Sequence, residues 1–318
     1  MKNLVVGTSP HVYTKLTTQR IMADVLIALV PASVAATVLF GLKALLMLSL
    51  CVLSCVLSEF LFNLAVKKKQ TISDLSACVT GALLALSLPA SASVWHCIVG
   101  SVFAIVIVKC VFGGIGSNFA NPAVTARVFL LIAFSTSLAG GVPTRFQNAD
   151  LITSATPLEI IKTGDVSALP SLFDMLVGNR GGAIGEGCAL ALALGGIYLI
   201  ARKVIYWYSP AVYLGSVFLF SLVIKGDASV ALYELLGGGA VIAAFFMITD
   251  YSSTPINRAG RLVFAFGCAA LTVLIRFWGS YPEGVSFAIL LMNILTPYIE
   301  KWCEKKPFGK RVKKNEKK

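Results

Sequence analysis

Charge is what this 318-residue sequence has least of: 13% of its residues are Asp, Glu, Lys or Arg, against 57% hydrophobic. An ordinary soluble domain carries about a quarter charged residues, so that class is excluded. Histidine is nearly missing, with only His11 and His96, and neither stands near a nucleophile motif. HExxH and the phosphate-binding GxxxxGK[ST] loop are both absent, and Gly113-Gly114-Ile115-Gly116 has no strand–helix pattern around it. A hydrolytic or dinucleotide-binding enzyme acting alone is therefore not expected. The eight cysteines include no CxxC pair. Cys51 and Cys55 share a helix face, but packing of small apolar thiols accounts for them, and no metal is expected.

What is present is apolar sequence in long runs. Ten stretches approach the ~20 residues that a helix needs to cross a bilayer: 21–40, 44–66, 74–89, 94–112, 123–139, 185–201, 211–224, 232–248, 262–277 and 285–302. Several are short, which predicts broken or tilted helices. The polar segment 1–19 precedes a full-length span, so no cleavable signal is expected. The fold class is all-α integral membrane.

The formal charge of +12 is concentrated at one end. Lys301–Lys318 hold nine Lys or Arg and two Glu, a basic anchor for anionic lipid rather than for nucleic acid. With both termini cytoplasmic, nineteen Lys and Arg fall inside and six outside, which places the long segment 140–184 outside the membrane.

A second level of order is internal. Gly116-Ser117-Asn118-Phe119-Ala120 resembles Gly284-Val285-Ser286-Phe287-Ala288, and Gly81-Ala82-Leu83-Leu84-Ala85 resembles Gly239-Ala240-Val241-Ile242-Ala243. The similar offsets predict two five-helix repeats of opposite topology with broken helices. The chain then divides into 1–20, a cytoplasmic segment; 21–139, the first repeat; 140–184, an extracytoplasmic loop; 185–302, the second repeat; and 303–318, a basic cytoplasmic tail. Ahead of the fifth span, Asn121 reads as an N-cap and Pro122 as the first helical residue, a start that leaves amide donors for an anionic group. Asp24, Arg127, Glu186 and Asp250 are charges at or inside spans. Pairing between repeats accounts for them, and ion transfer is the alternative, with Asp24, Glu186 and Asp250 as its carriers.

Inside the long polar segment stands Asp150-Leu151-Ile152-Thr153-Ser154-Ala155-Thr156-Pro157-Leu158. Ser and Thr beside Pro are ordinary turn chemistry. Yet Asp150, Thr153, Ser154, Ala155, Thr156 and Leu158 also match a flavinylation signature, with Ser154 where Gly is frequent. Ser9-Pro10-His11, Ile21-Met22, Ala28–Ala32, Asn118–Ala123, Gly185-Glu186, Thr249-Asp250 and Thr254-Pro255 surround it. Together they resemble the NqrB/RnfD family of flavin-carrying membrane subunits, which serve Rnf complexes and the sodium-translocating NADH:quinone reductase, from about residue 9 to 302. The short N-terminal segment favours the Rnf branch.

That resemblance implies a fold like ammonium and urea channels, in a bacterial or archaeal cell membrane. It also implies FMN joined by phosphoester to Thr156 by a flavin transferase, which makes the chain a phosphoprotein, and a second, non-covalent riboflavin. Asn118, Asn121, Arg127 and Arg180 are the expected flavin surroundings. The implied partners are Rnf subunits A, B, C, E and G, and the implied work is ferredoxin:NAD electron transfer coupled to Na+ or H+. A solute channel or secondary transporter on the same scaffold, without redox work, is the competing reading.

Overall fold

Each of the ten apolar stretches holds helix, because Leu, Ala, Val and Ile run on with few breakers. The computed structural model describes residues 17–138, 144–145, 156–163, 169–279 and 281–304, and among these there are helices and no strands. Asp150, Thr153, Ser154 and Ala155 of the signature, Ser9-Pro10-His11 and the tail beyond residue 304 lie outside the described residues.

The first half contains α1 (Thr18–Phe40), α2 (Leu42–Ala65), α3 (Ser76–Ser87), α4 (Val94–Cys110), α5 (Pro122–Ala133) and the short α6 (Ser135–Leu138). Two small helices follow in the polar segment, α7 (Pro157–Thr163) and α8 (Leu172–Val177). The second half holds α9 (Ala189–Ala201), α10 (Tyr208–Lys225), α11 (Ala228–Leu236), α12 (Ala240–Met247), α13 (Arg258–Trp278) and α14 (Val285–Trp302). Of these, α1, α2, α10 and α13 are long and apolar enough to cross a membrane, and α11 with α12, apolar enough when taken together, are bent by 65° at the break between them. The bend falls at Gly237-Gly238-Gly239, where Gly238 and Gly239 take φ of +56° and +70°, values that cost glycine little. The C-terminal half of α4, Phe103–Cys110, is π-helical.

Helix pairs meet across the two halves: α1 packs on α9, and α5 on α14. The first contact is close because Gly195 carries no side chain; a Cβ there would lie 2.1 Å from the Ala28 carbonyl oxygen. Small residues at such crossings let backbones approach where lipid offers no hydrophobic drive. The interior is built from short side chains, among them Ala28, Ala32, Ala36, Ala85, Ala123, Ala126, Ala243 and Ala244, with Leu84, Leu86, Leu130 and Tyr213 filling between them. Outward faces carry Leu42, Leu53, Val223 and Leu274, all more than half exposed, as a lipid-facing surface requires.

All four tryptophans are exposed, Trp95 at 63%, Trp207 at 64%, Trp278 at 70% and Trp302 at 81%. They stand at helix ends, two at each end of the bundle, where amphipathic rings mark membrane–water boundaries.

Candidate functional site

Two cavities open at opposite ends of α3 and α5. One takes Ser76, Val79, Thr80 and Leu83 from α3 with Asn121 and Pro122 from the start of α5. The other takes Ser87, Leu88 and Pro89 from the far end of α3 with Arg127, Leu131, Ser135 and Leu138 from α5 and α6. Each holds roughly 750 Å3 of space when the solvent at its mouth is included.

Thr156 lines the second cavity, together with Glu159, Tyr281 and Glu283. Its residue is 8% exposed. The local structure is a helix start rather than the turn that its neighbours predict: the Thr156 N–H donates to a Glu159 carboxylate oxygen at 2.7 Å, and the Glu159 N–H donates to the Thr156 hydroxyl oxygen at 3.4 Å. Pro157 occupies the first position of α7, where its missing N–H costs nothing. Thr156-Pro157-Leu158-Glu159 is thus a reciprocal capping box. Leu158 and Ile161, each 4% exposed, anchor α7 against Val230 of α11.

Behind Thr156 lies a buried ionic cluster. The Arg127 guanidinium is shared between Glu186 at 3.3 Å and Glu283, with Arg127 and Glu186 side chains 6% and 4% exposed and Glu283 21%. Arg276 pairs with Glu234 at 2.8 Å and donates to the Gly237 and Gly238 carbonyls. Arg180 donates to the carbonyls of Glu186 and Leu236 at 2.9 and 2.8 Å. These arginines hold the broken ends of α11 and the Ile184–Glu186 turn, satisfying carbonyls that would otherwise be bare. Burial lowers the pKa of Arg180, and the Glu186 and Glu283 charges oppose that. Burial and the Glu186 charge push the Glu283 carboxyl up to about 7, against the attraction of Arg127 and Arg276.

At the other end, Asn121 caps α5 as expected, accepting from Ala123 N–H at 3.0 Å and Val124 N–H at 3.3 Å. That bond corrects one expectation: the amide donors of this helix start are taken by the cap itself. Asp250 accepts from Ser252, Ser253 and Asn121 side chains at 2.8, 2.9 and 3.4 Å. It has no cationic partner within ion-pair distance among the described residues. Asn118 donates to Ser252 at 3.4 Å while its buried Oδ1 finds no partner.

The expected site residues therefore divide. Arg127 joins Thr156 at one cavity, whereas Asn118, Asn121 and Asp250 line the other, and Arg180 lines neither. Asp24 accepts from Tyr198 at 3.1 Å and from Arg202 at 3.2 Å, and Glu186 is held by Arg127. Both are pairings between the two halves of the chain.

Sequence reasoning passed over three features. Glu59 and Lys109 form a buried pair at 2.8 Å, extended by Thr71 and Ser76; opposite charges inside two apolar runs were the signal. Glu234 and Arg276 make the same kind of pair. Glu159 was legible from the Thr-x-x-Glu spacing, whereas nothing in the local sequence distinguishes Tyr281 or Glu283 from ordinary loop residues.

Apolar helices, one of them bent at a glycine run, with buried arginines at its broken ends and a cavity beside a capping threonine, define a multi-pass membrane protein with a built polar site. The chain belongs to the NQR2, RnfD, RnfE family, whose model matches residues 5–309. It is 44% identical to the D subunit of the Na(+)-translocating ferredoxin:NAD(+) oxidoreductase complex of Acetobacterium woodii, covering 99% of this chain and 98% of that one. It is 37% identical to the D subunit of the proton-translocating ferredoxin:NAD(+) oxidoreductase complex of Clostridium ljungdahlii, with 98% of each covered. The D subunit of the ion-translocating oxidoreductase complex of Halorhodospira halophila is 36% identical over 98% of this chain and 96% of its own.

Proposed function

We propose that this chain is the membrane redox subunit of an ion-translocating ferredoxin:NAD oxidoreductase complex, carrying FMN by a phosphoester at Thr156. The observation that supports it most is the placement of Thr156: a hydroxyl bonded only weakly, at 3.4 Å, on the wall of a cavity that also holds Arg127 and Tyr281. The donor set fits such a group. Arg127 supplies guanidinium N–H donors, Tyr281 an aromatic face, and Ser87 and Ser135 hydroxyls. Bound there, the flavin would supply electron transfer, while the protein fixes its position and electrostatics.

The architecture proposed with this reading is ten spans in two inverted repeats, joined by the extracytoplasmic segment 140–184, with both termini and the 303–318 tail cytoplasmic. Pairing of α1 with α9 and of α5 with α14, and the bend between α11 and α12, support it. The cavity around Asn118 and Asn121 is the place for the second, non-covalent riboflavin. Asp250 is the foremost ion carrier of the three acidic residues, because Asp24 and Glu186 already neutralise arginines. Rnf subunits A, B, C, E and G, and a flavin transferase during maturation, are the partners.

Coexpression with a flavin transferase, followed by a denaturing gel, tests the attachment. A fluorescent band in the wild type that disappears in Thr156→Val is expected. A dark wild-type band, or fluorescence surviving the substitution, rejects it.

A further inference from the structure

Among the described residues, the ionic cluster beside Thr156 has one carboxylate more than it has arginines. Arg127, Arg180 and Arg276 supply three positive charges, and Glu159, Glu186, Glu234 and Glu283 supply four negative ones. In a site so removed from water, an unbalanced charge is costly and a carboxylate takes up a proton instead. Three of the four carboxylates are firmly placed. Glu234 lies on Arg276, Glu159 receives the Thr156 N–H, and Glu186 sits behind Arg127, away from the cavity wall. Glu283 differs from them. Like Glu159 it lines the Thr156 cavity, but it has no backbone N–H of a capping box to hold it: it shares Arg127 with Glu186, and its side chain keeps 21% exposure, which gives it a route to water.

We propose that Glu283 is the proton-accepting residue of the Thr156 cavity, binding one proton when the group held there gains one electron and releasing it when that electron leaves. The inference rests on flavin attachment at Thr156. The balance is simple: one electron enters from a one-electron reductant, one proton passes from water at the cavity mouth to the Glu283 carboxylate, and no other bond forms or breaks. The charges facing Glu283 set the direction. Arg127 on α5, Arg276 on α13 and Arg180 ahead of the Ile184–Glu186 turn favour the carboxylate, while Glu186 in that turn and Glu159 on α7 favour the acid. A further negative charge in the cavity joins the second group and draws the proton in. These charges and burial alone push the carboxyl up to about 7, and the negative phosphodiester of a flavin at Thr156 pushes it further the same way.

Infrared spectroscopy of the full-length protein reads this directly, since a protonated carboxyl has its own carbonyl stretch. In flavinylated protein reduced by dithionite slightly above neutral pH, a protonated-carboxyl band should appear on reduction and be missing in Glu283→Gln. In Thr156→Val, which carries no flavin, the same band should titrate between about pH 5 and pH 9 and again vanish with Glu283→Gln. Glu283→Asp retains the band with a shifted midpoint and serves if the glutamine variant does not fold. A band that persists without Glu283, or none titrating in that range, overturns the proposal. A wild type lacking flavin overturns the redox linkage and the attachment reading, whereas the Thr156→Val titration still decides where the proton resides.

Discussion

Thr156 and Glu159 are bonded to each other twice, the Thr156 N–H to the Glu159 carboxylate at 2.7 Å and the Glu159 N–H to the Thr156 hydroxyl at 3.4 Å. Thr156 therefore has a structural task, starting α7, besides the chemical one proposed for it. The two separate by substitution. Thr156→Asn keeps a capping oxygen without adding charge but offers no hydroxyl, and should leave thermal stability close to wild type with no flavin bound. Thr156→Val loses both, at a cost of about 1 kcal/mol for the cap. Thr156→Ser retains both. Stability measured in detergent, beside flavin fluorescence, distinguishes the three.

Arg127 joins the halves of the chain through Glu186 and Glu283. Removing one partner of a buried pair leaves an uncompensated charge, which costs about 3–5 kcal/mol. Arg127→Met should therefore be strongly destabilised in thermal unfolding. Arg127→Met combined with Glu283→Gln should recover part of the loss, because one of the orphaned carboxylates is then neutral. Equal instability of the single and double variants would contradict this.

The pH dependence follows from the direction of the Glu283 shift. Its folded carboxyl lies at about 7, above the ordinary 4.5, so between these values the folded state binds more protons than the unfolded one. Stability from this group is thus complete below about 4.5 and is lost as pH rises toward 7. The stability of wild type relative to Glu283→Gln should fall as pH rises across that window, as followed by thermal unfolding at stepped pH.

Acidic residues with and without cationic partners should behave differently. Glu59→Gln breaks the pair with Lys109 at 2.8 Å and should reduce folding. Asp250→Asn keeps polar contacts with Ser252, Ser253 and Asn121 and should fold normally. In the complete complex, reconstituted in vesicles, Asp250→Asn is expected to lower ion uptake more than electron transfer. Equal loss of both would remove Asp250 from the ion path.

Much of this fold was written in composition. The runs that became α1, α2, α10 and α13 needed nothing but length and hydropathy, and the Asn121-Pro122 start of α5 needed only its two residues. The three consecutive glycines at the bend between α11 and α12 were a legible signal that went unused. The site was less legible. Glu283 reaches Arg127 across 156 positions, a contact no local pattern encodes. Asn118 and Asn121 looked like neighbours of Thr156 until the two ends of α5 proved to face different cavities. Free amide donors at Asn121 were expected because a cap was weighed as a helix start and not as an acceptor that takes those donors itself.

The central claim is a covalent bond at one atom. Mass spectrometry of the proteolytic peptide containing Thr156, from protein matured with the flavin transferase, tests it most directly. The account predicts a peptide heavier by FMN less one water, with fragmentation placing the addition on Thr156. An unmodified peptide, or an addition located on Thr153 or Ser154, would contradict it.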